Sequence, residues 1–387
     1  MTFRSVRSLA ILLLAFLSIS MLGTQCPLGL NIAAYLDLHK SGVDRYIGKF
    51  EPATSEPAGD WTKYTFDTQG GDGPICIDGS PFTVFTRERD PHKVAIFLNG
   101  GGACWQNFYF CSLQASQTPP PDVGMFADSY DDNGNVIQNP LADYSMVFVS
   151  YCDGSVFGGD NTVTDPSFTP GNGVRHHRGV RNVTAAIDLT HHMFPFASKV
   201  LLSGSSAGGF GVVGVSPFIV RFDYGNLIKF YVLDDSGPAV TNLAQTSVIQ
   251  TRINDWAYTQ FFPSTCTDCT PDKQPIELVE WMLQNDGSVR SSLYSTDADQ
   301  TIRFFLSIPT QAAYRSLLLD TWDPVQAEFP ARVKRYIRSG TGVHTMLGDP
   351  RYYTTVVNGT RLSDWVGGFV NQQPIWTDIV QDLIPSP

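Results

Sequence analysis

Residues 200–211 read Val-Leu-Leu-Ser-Gly-Ser-Ser-Ala-Gly-Gly-Phe-Gly, an apolar run that breaks into a Gly-x-Ser-x-Gly turn centred on Ser206. Small residues at such a break let a strand turn sharply into a helix and lift the serine hydroxyl clear of the sheet, where a base can reach it. A serine hydroxyl is a weak nucleophile and needs that base, and histidine suits the task near neutral pH. Among seven histidines, His39 precedes the linker expected at 51–60, His92 sits in a charged turn, His176 and His177 in a loop, and His191 and His192 at a helix end. His344 alone follows the last strand candidate, in Ser339-Gly340-Thr341-Gly342-Val343-His344-Thr345. Hydrolases built on a strand–turn–helix elbow place their histidine there, last in chain order. The developing oxyanion needs preorganised N–H donors. Ala207 follows the nucleophile, and Phe97-Leu98-Asn99-Gly100-Gly101-Gly102-Ala103 ends a strand candidate in three glycines. The backbone amides of Gly101, Gly102 and Ala207 are therefore the expected oxyanion hole, and the chemistry is acyl transfer through an acyl-enzyme.

Positioning three such distant stretches requires a layered sheet. Residues 94–98, 146–150, 200–203, 230–233, 302–307 and 333–337 are short, near-continuous apolar runs, as expected of inner parallel strands covered on both faces. Residues 61–66 and 82–86 alternate with a two-residue period suited to antiparallel strands. Helical spacing runs over 180–193 and 275–284, with a shorter helix near 33–40. The pattern predicts an α/β fold with a doubly wound, mostly parallel central sheet, helices on both faces and long loops over the site. The loops are residues 114–143 and 153–178, rich in Pro, Asp, Asn, Gly and Thr. Asp131, Asp132 and Asn133 do not have the spacing of an EF-hand and read as a solvated turn rather than a calcium site, and no cofactor is expected. Residues 51–60, Glu-Pro-Ala-Thr-Ser-Glu-Pro-Ala-Gly-Asp, read as a linker.

The 387 residues carry 26 Lys and Arg against 37 Asp and Glu, a net charge of −11, with no basic run. That excludes nucleic acid and acidic membrane surfaces as expected partners, since both need clustered cations. Arg4 and Arg7 precede an apolar stretch from residue 9 to 22, shorter than a membrane span. It reads as a secretory signal, or as an anchor if uncleaved. The domain plan is thus a signal peptide or N-terminal anchor over 1–25, an N-terminal segment and linker over 26–60, and one hydrolase domain over 61–387. In an exported chain six of the seven cysteines can pair. Cys104 and Cys111 enclose a short loop, Cys266 and Cys269 form a C-x-x-C, and Cys76 and Cys152 remain as a long-range pair.

Several collinear motifs resemble the pectin acetylesterase/Notum carboxylesterases, an α/β-hydrolase family. They are Pro74-Ile75-Cys76-Ile77-Asp78-Gly79-Ser80-Pro81, the segment from Leu98 to Cys104 with Cys111, Asn139-Pro140, and Val149-Ser150-Tyr151-Cys152-Asp153-Gly154-Ser155. Arg178-Gly179, the elbow itself, Asp235-Ser236-Gly237, His344-Thr345 and Leu362-Ser363-Asp364-Trp365 continue the series. The resemblance covers roughly residues 61–371. It implies a Ser-His-acid triad, no metal, and removal of acyl groups from esters. The family places its acid in the loop after the strand expected at 302–307, but that loop reads Ile308-Pro309-Thr310-Gln311-Ala312-Ala313-Tyr314, without a carboxylate. Asp235, after the preceding strand, is the favoured replacement. Asp320, or Gln311 holding the histidine in a dyad, are the alternatives.

The expectation is a secreted, periplasmic or cell-surface serine carboxylesterase with Ser206, His344 and Asp235 as triad. Its substrate is an acylated, most simply acetylated, pectin-like polysaccharide, with aromatics such as Trp105, Phe108 and Tyr109 available to a sugar chain. A lipid-ester deacylase of the Notum type, an amidase or acyltransferase on the same fold, and an inactive exported binding protein are the competing readings. Of two glycosylation sequons, Asn182-Val183-Thr184 falls in a helix and is expected to stay unmodified, and Asn358-Gly359-Thr360 is the other.

Overall fold

The computed structural model describes residues 29–131 and 133–386, so the segment read as a signal, and Cys26 with it, lie outside the described residues. Ten strands form the central sheet: β1 (Pro52–Ala58), β2 (Trp61–Phe66), β3 (Thr83–Arg87), β4 (Asp90–Leu98), β5 (Tyr144–Val149), β6 (Lys199–Ser205), β7 (Lys229–Asp235), β8 (Arg290–Thr296), β9 (Val333–Arg338) and β10 (Ile379–Val380). Their spatial order is β1-β2-β3-β5-β4-β6-β7-β8-β9-β10. β1, β2 and β3 pair antiparallel and β3 meets β5 antiparallel, whereas every pairing from β5 through β4 to β10 is parallel.

Alternating side chains of the inner strands enter two cores, one on each face. Val94, Ile96, Leu98, Val200 and Leu202 pack on one side, and Ala95, Phe97, Leu201 and Leu233 on the other. Among the described residues the helices, in chain order, are α1 (Ile32–Ser41), α2 (Gly179–Met193), α3 (Ala207–Val212), α4 (Ser216–Tyr224), α5 (Thr246–Trp256), α6 (Ile276–Asn285), α7 (Gln300–Leu306), α8 (Gln311–Glu328) and α9 (Leu362–Asn371). α1, α2, α4, α6 and α8 contribute to the first core, and α9 brings Leu362, Trp365, Val366 and Phe369 to the second. Burying both faces removes the apolar strands from water, the dominant stabilising term in such a fold. Among the described residues no helix is long and apolar enough to cross a membrane.

Two local expectations are corrected. The segment read as a linker is the edge strand β1, paired along its length with β2. Its prolines are compatible with an edge, where a missing ladder donor costs little. Residues 302–307 are not a strand but most of helix α7, with Ile302 and Leu306 buried one turn apart and Phe304 exposed between them. A short apolar run cannot by itself distinguish the two. The strand in that part of the sheet is β8, whose sequence Arg-Ser-Ser-Leu-Tyr-Ser-Thr is too polar to announce a central strand. Asn182 is buried and bonds through its side chain to both backbone groups of Ile75.

Candidate active site

β6 ends at Ser205, and Ser206 turns the chain into α3 with φ 58° and ψ −117°. A non-glycine residue at positive φ is strained and persists only where its surroundings hold it. The small neighbours make the turn possible. A Cβ on Gly204 would lie 2.3 Å from the Gly208 carbonyl oxygen, and one on Gly208 would lie 1.9 Å from the Leu98 carbonyl oxygen. The helix thus rests directly on the ends of β6 and β4. Ala207, as the first residue of α3, has an N–H with no intrahelical acceptor.

The glycine turn after β4 lies against this elbow. A Cβ on Gly100 would meet the Ser205 carbonyl oxygen at 2.9 Å and Ser206 Cβ at 3.0 Å. Beyond it the chain forms a hairpin, Gly102–Trp105 with Phe108–Cys111, closed by the Cys104–Cys111 disulfide. The Gly101 carbonyl accepts from Ser112 N–H at 2.7 Å, and the Cys104 carbonyl accepts from Trp256 Nε1 at 2.7 Å. Cys76–Cys152 and Cys266–Cys269 are the other two disulfides.

His344 comes from the loop after β9. Its Nδ1 lies 2.7 Å from Asp299 Oδ2. Asp299 is fully buried, and its other oxygen accepts the Ile302 N–H at 2.9 Å as the N-cap of α7. With a carboxylate as partner, Nδ1 carries the proton and Nε2 is left as the acceptor. Nε2 is buried and has no hydrogen-bond partner among the described residues. His344, Ser206 and Gly100, Gly101 and Gly102 line one cleft of about 590 Å³.

The carboxylate beside the imidazole is therefore Asp299, and the expectation of Asp235 in that place is corrected. Asp235 ends β7 in register with Ser205. Its oxygens accept from Ser205 Oγ at 2.5 Å, from Met346 N–H at 2.9 and 3.0 Å, and from Leu347 N–H at 2.9 Å. Burial raises the pKa of this carboxyl, against the lowering effect of these donors. Asp320 is exposed on α8 and bonded to Ser316. Gln311 donates to Asp297 and to the Ile384 carbonyl rather than to the histidine. Asp299 was missed because the strand before it was displaced by one element. Its signal was Asp-Ala-Asp directly after the Ser/Thr-rich run at 291–296.

A second cavity of about 190 Å³ also opens at Ser206 and Ala207. Its walls are mostly apolar, including Trp105, Val156, Phe210, Val240, Trp256 and Phe305. Arg252 lies 5.6 Å over the Trp105 ring, and burial lowers its pKa. Of the aromatics considered for a sugar chain, Trp105 and Phe108 stack on each other at 4.1 Å, and the Tyr109 hydroxyl donates to Asp165.

A family model described as Pectinacetylesterase matches residues 58–267, more than half of the 387-residue chain. The matched stretch includes the glycine turn and Ser206, while Asp299 and His344 lie beyond it. No curated protein matches the chain.

Proposed function

Because the chain belongs to the pectinacetylesterase family, we propose that it is a serine esterase that removes acetyl groups from a polymeric carbohydrate outside the cell. The observation that carries this reading is the cleft shared by Ser206, the Gly100–Gly102 turn and a histidine whose Nδ1 is held by a buried carboxylate. Ser206 Oγ attacks the ester carbonyl while His344 Nε2 takes its proton. Amide N–H groups of Gly101, Gly102 and Ala207 hold the oxyanion of the tetrahedral intermediate, and Asp299 stabilises the imidazolium. The imidazolium returns the proton to the leaving alkoxide as the C–O bond breaks, and the alcohol departs. Water, deprotonated by His344, then attacks the acyl-enzyme and releases the acid and free Ser206. Three disulfides support an oxidising, extracellular setting.

The apolar cavity beside Ser206 favours a second reading, in which the acyl group is longer than acetyl. A panel of esters from acetate to long acyl chains, presented on sugar and simple alcohols, separates the two. The proposal expects the highest kcat/KM on acetylated carbohydrate and complete loss in Ser206→Ala. A preference rising with acyl length favours the second reading, and hydrolysis surviving Ser206→Ala refutes both.

A further inference from the structure

Three turns at this site carry non-glycine residues at positive φ: Ser206 at 58°, Ser236 at 65° and Thr345 at 57°. They belong to the nucleophile elbow, the end of β7 and the histidine loop, and all three meet around Asp235 and Ser236. Asp235 accepts the Ser205 hydroxyl from the elbow and the Met346 and Leu347 N–H groups from the histidine loop. Its own backbone carbonyl accepts Ser206 N–H at 2.8 Å, and the neighbouring Ser236 Oγ accepts Thr345 N–H at 3.3 Å. Strained backbone persists only where several contacts hold it, and here one residue supplies most of them on both sides.

We propose that Asp235 is a positioning residue that clamps the loop carrying His344 to the elbow carrying Ser206, fixing the approach of base and nucleophile without touching substrate. Every partner is a donor, so the carboxylate accepts throughout and no proton moves through it. Asp299 sets the tautomer of the imidazole, whereas Asp235 sets where the imidazole's loop sits. This rests on the esterase reading above, because position matters here only if Ser206 and His344 react together.

The test uses the whole chain. Asp235→Asn and Ser205→Ala are compared with the parent by steady-state hydrolysis of p-nitrophenyl acetate and by thermal melting. A displacement of the order of an ångström between reacting groups costs about 100-fold in rate, and that loss in kcat with KM unchanged is expected of Asp235→Asn. Ser205→Ala, which keeps the carboxylate on the histidine loop, lowers kcat by about tenfold, as for one lost hydrogen bond to a charged group. Parental kcat in folded Asp235→Asn overturns the proposal, as does a lowered melting temperature with kcat unchanged. If Asp235→Asn fails to fold, Ser205→Ala decides, and an unchanged kcat there overturns it. Parental hydrolysis by Ser206→Ala instead overturns the esterase reading itself.

Discussion

Asp299 Oδ2 sits 2.7 Å from His344 Nδ1 while Asp299 Oδ1 caps the following helix through Ile302 N–H. One buried carboxylate thus orders both the imidazole and α7. Asparagine is as good an N-cap as aspartate but cannot stabilise the imidazolium or select its tautomer. Asp299→Asn is therefore expected to lower kcat by about 10⁴-fold with little change in melting temperature. Asp320→Asn, altering an exposed group on α8, is expected to leave both unchanged.

The close approach of α3 to the sheet gives a second expectation. A Cβ at position 208 would lie 1.9 Å from the Leu98 carbonyl oxygen, and that oxygen cannot move without shifting β4. Gly208→Ala is expected to cost about 1–3 kcal/mol in urea unfolding, the usual penalty for overpacking. Gly348, which lies outside the positive-φ glycines and whose Cβ would meet only Phe126 Cε2 at 3.8 Å, an ordinary contact, serves as the control for alanine introduced elsewhere.

How much of this was legible in the sequence follows from which residues carry local signals. The elbow, the glycine turn and the three cysteine pairs were visible because sharp turns and cross-links demand particular residue types. The inner strands β4, β6 and β7 announced themselves as apolar runs covered on both faces. β8 did not, because Ser291, Ser292, Ser295 and Thr296 are buried there despite their polarity. With β8 hidden by its polarity, the apolar α7 reads as that strand, and the expected place of the carboxylate moves one element beyond Asp299. Asp235 reads as a site residue from its place after an apolar strand, and the resemblance puts it beside the pocket. Only coordinates show that its oxygens are occupied by Ser205, Met346 and Leu347.

The disulfides are expected to differ in what they hold. Cys76–Cys152 closes a separation of 76 residues and Cys266–Cys269 one of 3, and loop-closure entropy grows with length. Replacing Cys76 and Cys152 by serine is expected to destabilise by about 2–5 kcal/mol, well beyond the Cys266/Cys269 pair. Loss of Cys104–Cys111, separated by 7 residues beside the glycine turn, is expected to lower kcat more than it lowers the melting temperature.

Two buried groups set opposing pH slopes on stability. Burial, aided by Arg175, depresses His177 from 6.5 to about 3. Between those values the unfolded chain binds a proton that the fold refuses, so this contribution falls as pH falls. Burial raises Asp153 from 3.8 to about 6. In that window the fold keeps a proton that the unfolded chain has released, so this contribution falls as pH rises. His177→Gln is expected to flatten the loss of melting temperature on acidification below pH 6.5. Asp153→Asn is expected to gain stability over the parent mainly above pH 6.

The most direct test of the central claim is covalent labelling of the native protein with a fluorophosphonate, followed by mass spectrometry of its peptides. The account expects one adduct on Ser206, formed rapidly in the parent and at least about 10³-fold more slowly in His344→Ala, with acetyl-ester hydrolysis lost in step. An adduct on another residue, or full hydrolytic activity with Ser206 blocked, would contradict it.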